Sequence, residues 1–201
     1  MTLARVRIAT GNPGKLREFR ELLTPLGIEV LSMEDLGKIE IIEDGDTFEA
    51  NAIKKAQTIA DMTGEAVLAD DSGIAVDYLD GAPGVYSARY AGVDGDGQDD
   101  ANNAKLLEVM RDVPQDQRQA RFVCALALCR PEHDPVTFRA TFEGSVGYEH
   151  KGENGFGYDS LFVVQGDTRH SAELSRDEKN AISHRGKALR LLMDWLENSQ
   201  G

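Results

Sequence analysis

Residues 6–31 read VRIATGNPGKLREFRELLTPLGIEVL, and this stretch decides the fold class of the chain. Val6–Thr10 is a short apolar run that predicts a β-strand, and the Gly-Asn-Pro-Gly turn after it leads into a helical pattern. Five apolar side chains of that pattern share one face of the predicted helix: Leu16, Phe19, Leu22, Leu23 and Leu26. Gly27 ends the helix, and Ile28–Leu31 predicts a second strand. A strand, a helix and a strand in this order are typical of α/β proteins.

The rest of the chain continues this alternation. Asp46 and Glu49 have the spacing of a helix start, and that helix is predicted to extend to about Met62. Two apolar runs, Ala66–Ala69 and Ile74–Val76, are separated by Asp-Asp-Ser-Gly, which predicts a strand end or a tight turn. The other predicted elements are a loop at Gly81–Gly97, helices at Ala101–Val113 and Ala188–Leu196, strands at Arg121–Cys129, Val136–Phe142 and Ser160–Val164, and a capping box at Ser175 and Glu178. Because the sequence contains no repeat and no linker, residues 1–201 are predicted to form a single domain.

Composition and charge narrow the classes of function. The chain has 35 acidic and 22 basic residues and a net charge of −13, which argues against binding of nucleic-acid polymers. Its apolar runs are far shorter than the roughly 20 residues that span a bilayer, so we expect no membrane segment. Met1–Thr10 lacks the apolar core of a signal peptide, which predicts a cytoplasmic location. Cys124 and Cys129 are five positions apart in a predicted strand, so we expect them on opposite faces, buried and unbridged.

A candidate anion site lies where the first predicted strand passes into the first helix. Glycine allows backbone N–H groups to approach an anion, the helix N-terminus adds a favourable dipole, and Lys15 adds a positive charge. The residues of this segment are Thr10, Gly11, Asn12, Pro13, Gly14 and Lys15. Leu16 stands where a Walker A loop has its Ser or Thr, so acids elsewhere must hold any metal. The alternative is a plain turn followed by a helix.

A candidate metal site lies at Asp70-Asp71-Ser72-Gly73, with Glu43 upstream. Carboxylate oxygens suit Mg²⁺, which takes one or two protein acids together with substrate phosphates. Adjacent aspartates in an extended segment point to opposite sides, so one can face a ligand while the other braces the backbone. The alternative is an exposed turn, which is common for Asp-Ser-Gly sequences.

Two further segments carry aromatic and basic side chains. The loop Gly152–Asp159 places Phe156 between glycines, where an aromatic ring can stack on a planar base; the alternative is a glycine-rich hairpin whose Phe and Tyr fill the core. Lys179 is followed by Ser183-His184-Arg185. Positions 179 and 184 cannot share a face of one straight helix, so either the helix breaks near Ser183 or these side chains surround a ligand. The alternative is a solvated basic face.

Taken together, these segments resemble the inosine/xanthosine triphosphate pyrophosphatase family over nearly the full chain. The motifs that carry the resemblance are Thr-Gly-Asn-x-x-Lys at 10–15, Thr-Phe-Glu-Ala-Asn-Ala at 47–52 with Lys55, Ala-Asp-Asp-Ser-Gly at 69–73, Gly-Ala-Pro-Gly-Val-Tyr-Ser-Ala-Arg at 81–89, Gly-Phe-Gly-Tyr-Asp at 155–159, and Ala172-Glu173-Leu174 through Lys179 to Ser-His-Arg-Gly at 183–186. The resemblance implies an elongated, two-lobed α/β fold, with a long mixed sheet, flanking helices and a central nucleotide cleft. It also implies a homodimer and hydrolysis of ITP, dITP and XTP to the monophosphate and pyrophosphate.

The resemblance also assigns residue roles. The segment 10–15 would bind the triphosphate, Glu43 and Asp71 would hold Mg²⁺, and Asp71 would be the general base. Glu40 or Asp44 could take the role of Glu43. The residues expected to contact the nucleotide are Ser72, Lys55, Phe156, Gly157, Tyr158, Asp159, Lys179, His184 and Arg185. The segment Val93–Asp100 matches no motif of the family.

Chemistry adds a hypothesis about base choice. Lys179, His184 or Arg185 can donate a hydrogen bond to the 6-oxo group of hypoxanthine or xanthine, whereas adenine presents a donor there. Two alternatives remain at this point: a Maf-type nucleotide pyrophosphatase, and a non-catalytic regulator that binds nucleotides.

Overall fold

A computed structural model describes residues 3–37 and 39–198, so the ends of the predicted 1–201 domain and Lys38 lie outside the described residues. Six strands form one mixed sheet in the order β2-β1-β3-β4-β5-β6, in which β1 is parallel to β2 and β3, and β6 is antiparallel to β5. The strands are β1 (Arg5–Ala9), β2 (Glu29–Leu31), β3 (Val67–Val76), β4 (Gln119–Arg130), β5 (His133–Val146) and β6 (Phe162–Val164). The helices are α1 (Pro13–Leu23), α2 (Phe48–Thr63), α3 (Gln98–Val109), α4 (Arg176–Ile182) and α5 (His184–Asn198). The predicted α/β fold with a mixed sheet is confirmed.

The opening β-α-β unit has the predicted order and nearly the predicted bounds. Asn12 caps α1 with its side chain and Pro13 occupies the first turn, where its missing N–H costs nothing. Gly27 adopts a left-handed conformation, with φ 77°, after the short helical turn that extends α1. Local sequence chemistry therefore sets both ends of this helix.

The prediction of a strand end or a tight turn at residues 70–73 is wrong. Val67–Val76 form one continuous strand, and both aspartates lie inside it in buried positions. A turn is the local preference of Asp-Ser-Gly, but charged and amide partners from other elements satisfy the two carboxylates where they stand. The strand can therefore continue through them.

Other boundaries differ by a few residues. Thr47, not Asp46, caps α2, because its hydroxyl accepts a hydrogen bond from the Ala50 N–H at 3.1 Å. Helix α3 begins at Gln98 and ends at Val109, three and four residues before the predicted ends. The predicted capping box at Ser175 and Glu178 is present at the start of α4. Of the two alternatives for positions 179 and 184, the structure shows the helix break, since Ser183 is extended between α4 and α5.

The chain divides into two compact units. The first unit comprises the described residues of Met1–Asp71, Cys124–Ala140 and Arg185–Gly201. On one face of its part of the sheet, β1 and β4 pack against α1 and α5 through residues that include Ile8, Phe19, Leu126 and Leu192. On the other face, α2 packs against the alternate positions of the same strands. Cys124 belongs to the first face and Cys129 to the second, both as free thiols, which confirms their predicted placement.

The second unit comprises Ser72–Val123 and Thr141–His184. Its core joins the ends of β3, β4 and β5 to α3 and β6, with Phe122 and Phe162 in ring contact at 4.5 Å. Gly73 permits a close approach in this unit, because a Cβ there would lie 2.3 Å from the Ser87 hydroxyl oxygen. That hydroxyl accepts a hydrogen bond from the Ile74 N–H at 2.9 Å. Among the residues described in both units, no helix is long and apolar enough to cross a membrane.

Candidate active site

The turn between β1 and α1 is organised by its own side chains. The Asn12 side chain accepts a hydrogen bond from the Lys15 N–H at 3.0 Å, and the Thr10 hydroxyl accepts one from the Asn12 N–H at 3.1 Å. A Cβ on Gly11 would meet nothing within 4 Å, so the space beside this glycine is open. The turn thus presents the N-terminus of α1 beside open space, an arrangement that suits an anion.

Asp70 is the bracing member of the aspartate pair. Its buried carboxylate forms ion pairs with Lys15 and with Arg185, whose Nε is 3.2 Å from Asp70 Oδ2. The Cys124 thiol donates to the same oxygen at 3.1 Å. Burial acts to raise the pKa of Asp70, but Arg185 and Lys15 outweigh it and hold that pKa well below its usual value of 3.8. Asp70 is therefore a fixed anion that orders the lysine of the turn.

Arg185 is deeply buried, at 1% exposure, and also forms an ion pair with Glu18 of α1. The sequence hypothesis that Arg185 contacts the base stays a prediction. The structure gives this guanidinium a second role, because it holds α1, β3 and the start of α5 together through two carboxylates.

Asp71 points to the other side of β3, as the alternation of the strand predicts. Its Oδ2 accepts a hydrogen bond from the Asn51 amide at 3.1 Å, and its Oδ1 is 3.6 Å from Lys55 Nζ. Burial raises the pKa of Asp71 above 3.8, the positive charges of Lys55 and Lys15 oppose that rise, and Glu43 adds to it. A carboxylate with a raised pKa is a stronger base, provided that it remains ionised at the working pH.

Glu43 lies beside Asp71 through a shared lysine. Lys55 Nζ is 2.9 Å from Glu43 Oε2, so one ammonium group contacts both carboxylates. Asp44 instead pairs with Lys54 at 2.6 Å, and Glu40 is exposed. Of the three acids considered for the metal, the structure therefore brings Glu43 next to Asp71.

These two acids have the chemistry of a magnesium site. Mg²⁺ binds through one or two carboxylates and fills its remaining positions with water and substrate phosphates. Lys55 Nζ lies 2.9 Å from Glu43 and 3.6 Å from Asp71, so the two carboxylates are within electrostatic range of each other. Residues 3–37 and 39–198 contain no cluster of three or more acidic, histidine or cysteine side chains suited to a metal. A magnesium ion here would therefore be held by Glu43 and Asp71 with help from the substrate.

Asn51 is a positioning residue that the sequence reasoning did not single out. Its side chain, at 1% exposure, accepts a hydrogen bond from the Gly45 N–H at 2.8 Å and donates to Asp71. It thus links the segment that carries Glu43 to the carboxylate of Asp71. The signal was present in the sequence, because Asn51 lies one helical turn before Lys55 in the otherwise apolar stripe of α2.

In the second unit, Asp159 organises the loop Gly152–Asp159, which we call the aromatic loop. Its carboxylate accepts hydrogen bonds from the Phe156 N–H at 2.9 Å and the Ser171 hydroxyl at 2.8 Å, and it pairs with Lys179 at 2.7 Å. Lys179 Nζ lies 5.2 Å from the centroid of the Phe156 ring, within range of a cation–π contact. The structure thus brings together three of the predicted nucleotide contacts.

The remaining predicted residues of this unit have other surroundings. Tyr158 is a core residue whose hydroxyl donates to the Ser87 carbonyl at 2.7 Å, and burial raises its pKa. The core alternative is therefore right for Tyr158, and its contact with a nucleotide stays a prediction. The His184 ring is buried and stacks on Phe122 at 5.0 Å, and Ser72 is half-buried within β3.

Comparisons with known proteins agree on one family. The model of the Ham1 family matches residues 6–195. A dITP/XTP pyrophosphatase of Exiguobacterium sp. (strain AT1b) is 55% identical over 186 residues, which cover 92% of this chain and 93% of the relative. The dITP/XTP pyrophosphatase of Escherichia coli (strain K12) is 49% identical over 198 residues, which cover 98% and 100%. The solved structure of a HAM1 protein from Coxiella burnetii superposes with a TM-score of 0.85 at 40% identity and covers 96% of this chain and 98% of that one.

Proposed function

The chain belongs to the Ham1 family, and we propose that it hydrolyses the aberrant purine nucleotides dITP, XTP and ITP to the monophosphate and pyrophosphate. Such an activity removes these nucleotides from the precursor pool. The observation that carries the proposal is the placement of Asp71 between Asn51 and Lys55, beside Glu43. The family match favours this activity over the Maf-type alternative.

The side chains suggest how the reaction proceeds. Asp71 accepts a proton from a water molecule whose oxygen attacks the α-phosphorus, while the bond to the bridging oxygen breaks and pyrophosphate leaves. Asn51 and Lys55 each hold one oxygen of Asp71, which fixes the direction in which the carboxylate can take the proton. Lys15 and Lys55 supply positive charge against the triphosphate.

Magnesium is part of the proposal. When bound by Glu43 and Asp71, Mg²⁺ supplies charge that stabilises the leaving pyrophosphate. The contacts of both carboxylates with Lys55 support this assignment, because one positively charged ammonium group already lies near both of them. The proposal further includes a homodimer in the cytoplasm, which rests on the family resemblance alone.

Base recognition is assigned to the aromatic loop. Phe156 lies between two glycines and close to Lys179, so its ring and this ammonium can meet the face and the 6-oxo group of a purine. Adenine would present an amino donor in place of the 6-oxo acceptor, so it would offer this ammonium no hydrogen bond.

The test is product identification with a panel of ITP, dITP, XTP, GTP and ATP. We expect inosine monophosphate and pyrophosphate in equal amounts from ITP, with slower hydrolysis of ATP. Inosine diphosphate and orthophosphate as first products would contradict attack at the α-phosphorus. Binding without turnover would instead support the non-catalytic regulator. The Asp71→Asn variant, purified in the same way, controls for contaminating phosphatases.

A further inference from the structure

The acidic, glycine-rich segment Val93–Asp100 matches no motif of the family, yet its C-terminal end contacts the aromatic loop. Its last three residues form the first turn of α3. The Asp99 carboxylate accepts a hydrogen bond from the Gly157 N–H at 2.8 Å. One helical turn later, the Asn103 amide donates to the Gly157 carbonyl, also at 2.8 Å. One face of α3 therefore holds both backbone polar groups of Gly157.

The orientation of Asn103 follows from its partners. Its NH₂ group donates to two carbonyl oxygens, those of Gly157 and Asp99, so the flipped amide would place oxygen against oxygen. The side chain is 3% exposed, and its own oxygen accepts no hydrogen bond from the part of the chain that the structure describes. A buried amide with one unpaired oxygen is less stable than a well-packed apolar side chain. Its value therefore lies in the contact with Gly157.

The loop needs such contacts because its backbone is permissive. Gly155 and Gly157 have φ of 78° and 60°, so Phe156 lies between two residues with little conformational preference. The Phe156 N–H is held by Asp159, and the peptide groups that follow are held by α3. Together these bonds fix the backbone on both sides of the Phe156 ring.

We propose that Asp99 and Asn103 are positioning residues that hold Phe156 in place for stacking on the purine base. This inference rests on the proposed function, because it assumes that the loop binds the base. It assigns a role to the Val93–Asp100 segment: this segment delivers the start of α3 to the aromatic loop. Neither side chain touches the phosphates or the reacting atoms in this assignment, so their loss weakens substrate binding and leaves the chemical step intact.

The kinetic test compares Asp99→Ala with Asp100→Ala, which removes the same charge from the same turn of α3. We expect Asp99→Ala to raise KM for ITP about three- to tenfold, as for the loss of one typical hydrogen bond, with kcat changed less than about twofold. Asp99→Asn keeps an acceptor oxygen for the Gly157 N–H and should restore most of the affinity. Asn103→Leu, of similar size, should raise KM in the same way.

A second readout does not depend on activity. Amide hydrogen exchange at Gly157, measured by NMR without substrate, should be faster in Asp99→Ala and Asn103→Leu than in Asp100→Ala and the wild type. Unchanged exchange, an unchanged KM, or an equal rise of KM in Asp100→Ala would each overturn the proposal. A fall in kcat and thermal stability with no change of KM would also overturn it, because it would show a purely structural role. If the wild type fails to hydrolyse ITP, the proposed function and the base-binding role both fail, whereas exchange still reports whether the contact exists.

Discussion

Replacing Arg185 by alanine removes a positive charge that pairs with two buried carboxylates. The guanidinium lies 3.2 Å from Asp70 and also pairs with Glu18, and the Asp70 side chain has no exposed surface. In the variant, Asp70 keeps its ion pair with Lys15, while Glu18 loses its ion pair with the arginine. We therefore expect the variant to have a lower free energy of unfolding.

Truncation of one partner of a buried ion pair costs about 3–5 kcal/mol. For a chain of this length, that loss corresponds to a fall of roughly 6–20 °C in Tm. The effect should also depend on pH. In the wild type the pKa of Asp70 lies below 3.8, so the stabilisation from this group is present above its unfolded pKa and is lost as pH falls through the folded value. Without Arg185, burial raises that pKa, so the gap between the two proteins should narrow in acid.

The assay is urea unfolding of both proteins at several pH values, together with kcat/KM for ITP and ATP. Lys187→Ala is the matched control, because it removes one positive charge from an exposed position of α5 and should change stability by less than about 0.5 kcal/mol. If Arg185 reads the base, the preference for ITP over ATP should fall by roughly 1–3 kcal/mol. Unchanged stability together with that loss of preference would refute the structural role of Arg185.

Three other perturbations address Asn51, Asp71 and the proposed magnesium ion. Asn51→Ala should lower kcat for ITP about fivefold or more, with little change in KM, because Asp71 loses one oriented donor. An unchanged kcat in steady-state kinetics would show that Asn51 does not position the general base. Asn51→Asp should lower kcat further, because it places a second negative charge beside Asp71. Asp71→Asn should nearly abolish turnover while circular dichroism shows an intact fold, and a near-normal rate would move the general base to another acid. Excess EDTA should stop hydrolysis and added Mg²⁺ should restore it, so full turnover in the chelator would rule out the proposed metal.

Local sequence chemistry determined much of the fold. The β-α-β opening and the capping box of α4 follow from short-range patterns, and the structure confirms both. The break at Ser183 is one of the two alternatives that helix periodicity leaves open. The opposite placement of Asp70 and Asp71 also follows from strand alternation. These features could be predicted because the interactions that set them lie within a few residues along the chain.

The features that the sequence did not predict depend on residues that are far apart along the chain. Asp-Ser-Gly predicts a turn by itself, but β3 continues because Asp70 and Asp71 find their partners on α1, α2 and α5. The place of Asn51 in the buried stripe of α2 is visible in the sequence, but its partner is not, because Asp71 is 20 positions away. The contact between Asp99 and Gly157 was also not predicted, because these residues are 58 positions apart in sequence.

The sequence alone thus determined most of the elements, which family the chain resembles and which residue types the chemistry needs. Only the tertiary structure decided that Asp70 braces Lys15 while Asp71 stands beside Glu43, and that α3 holds the loop of Phe156. The physical reason is that a buried polar group is stable only where its partners converge. That convergence depends on which strands and helices are neighbours in space, and spacing along the chain does not encode it.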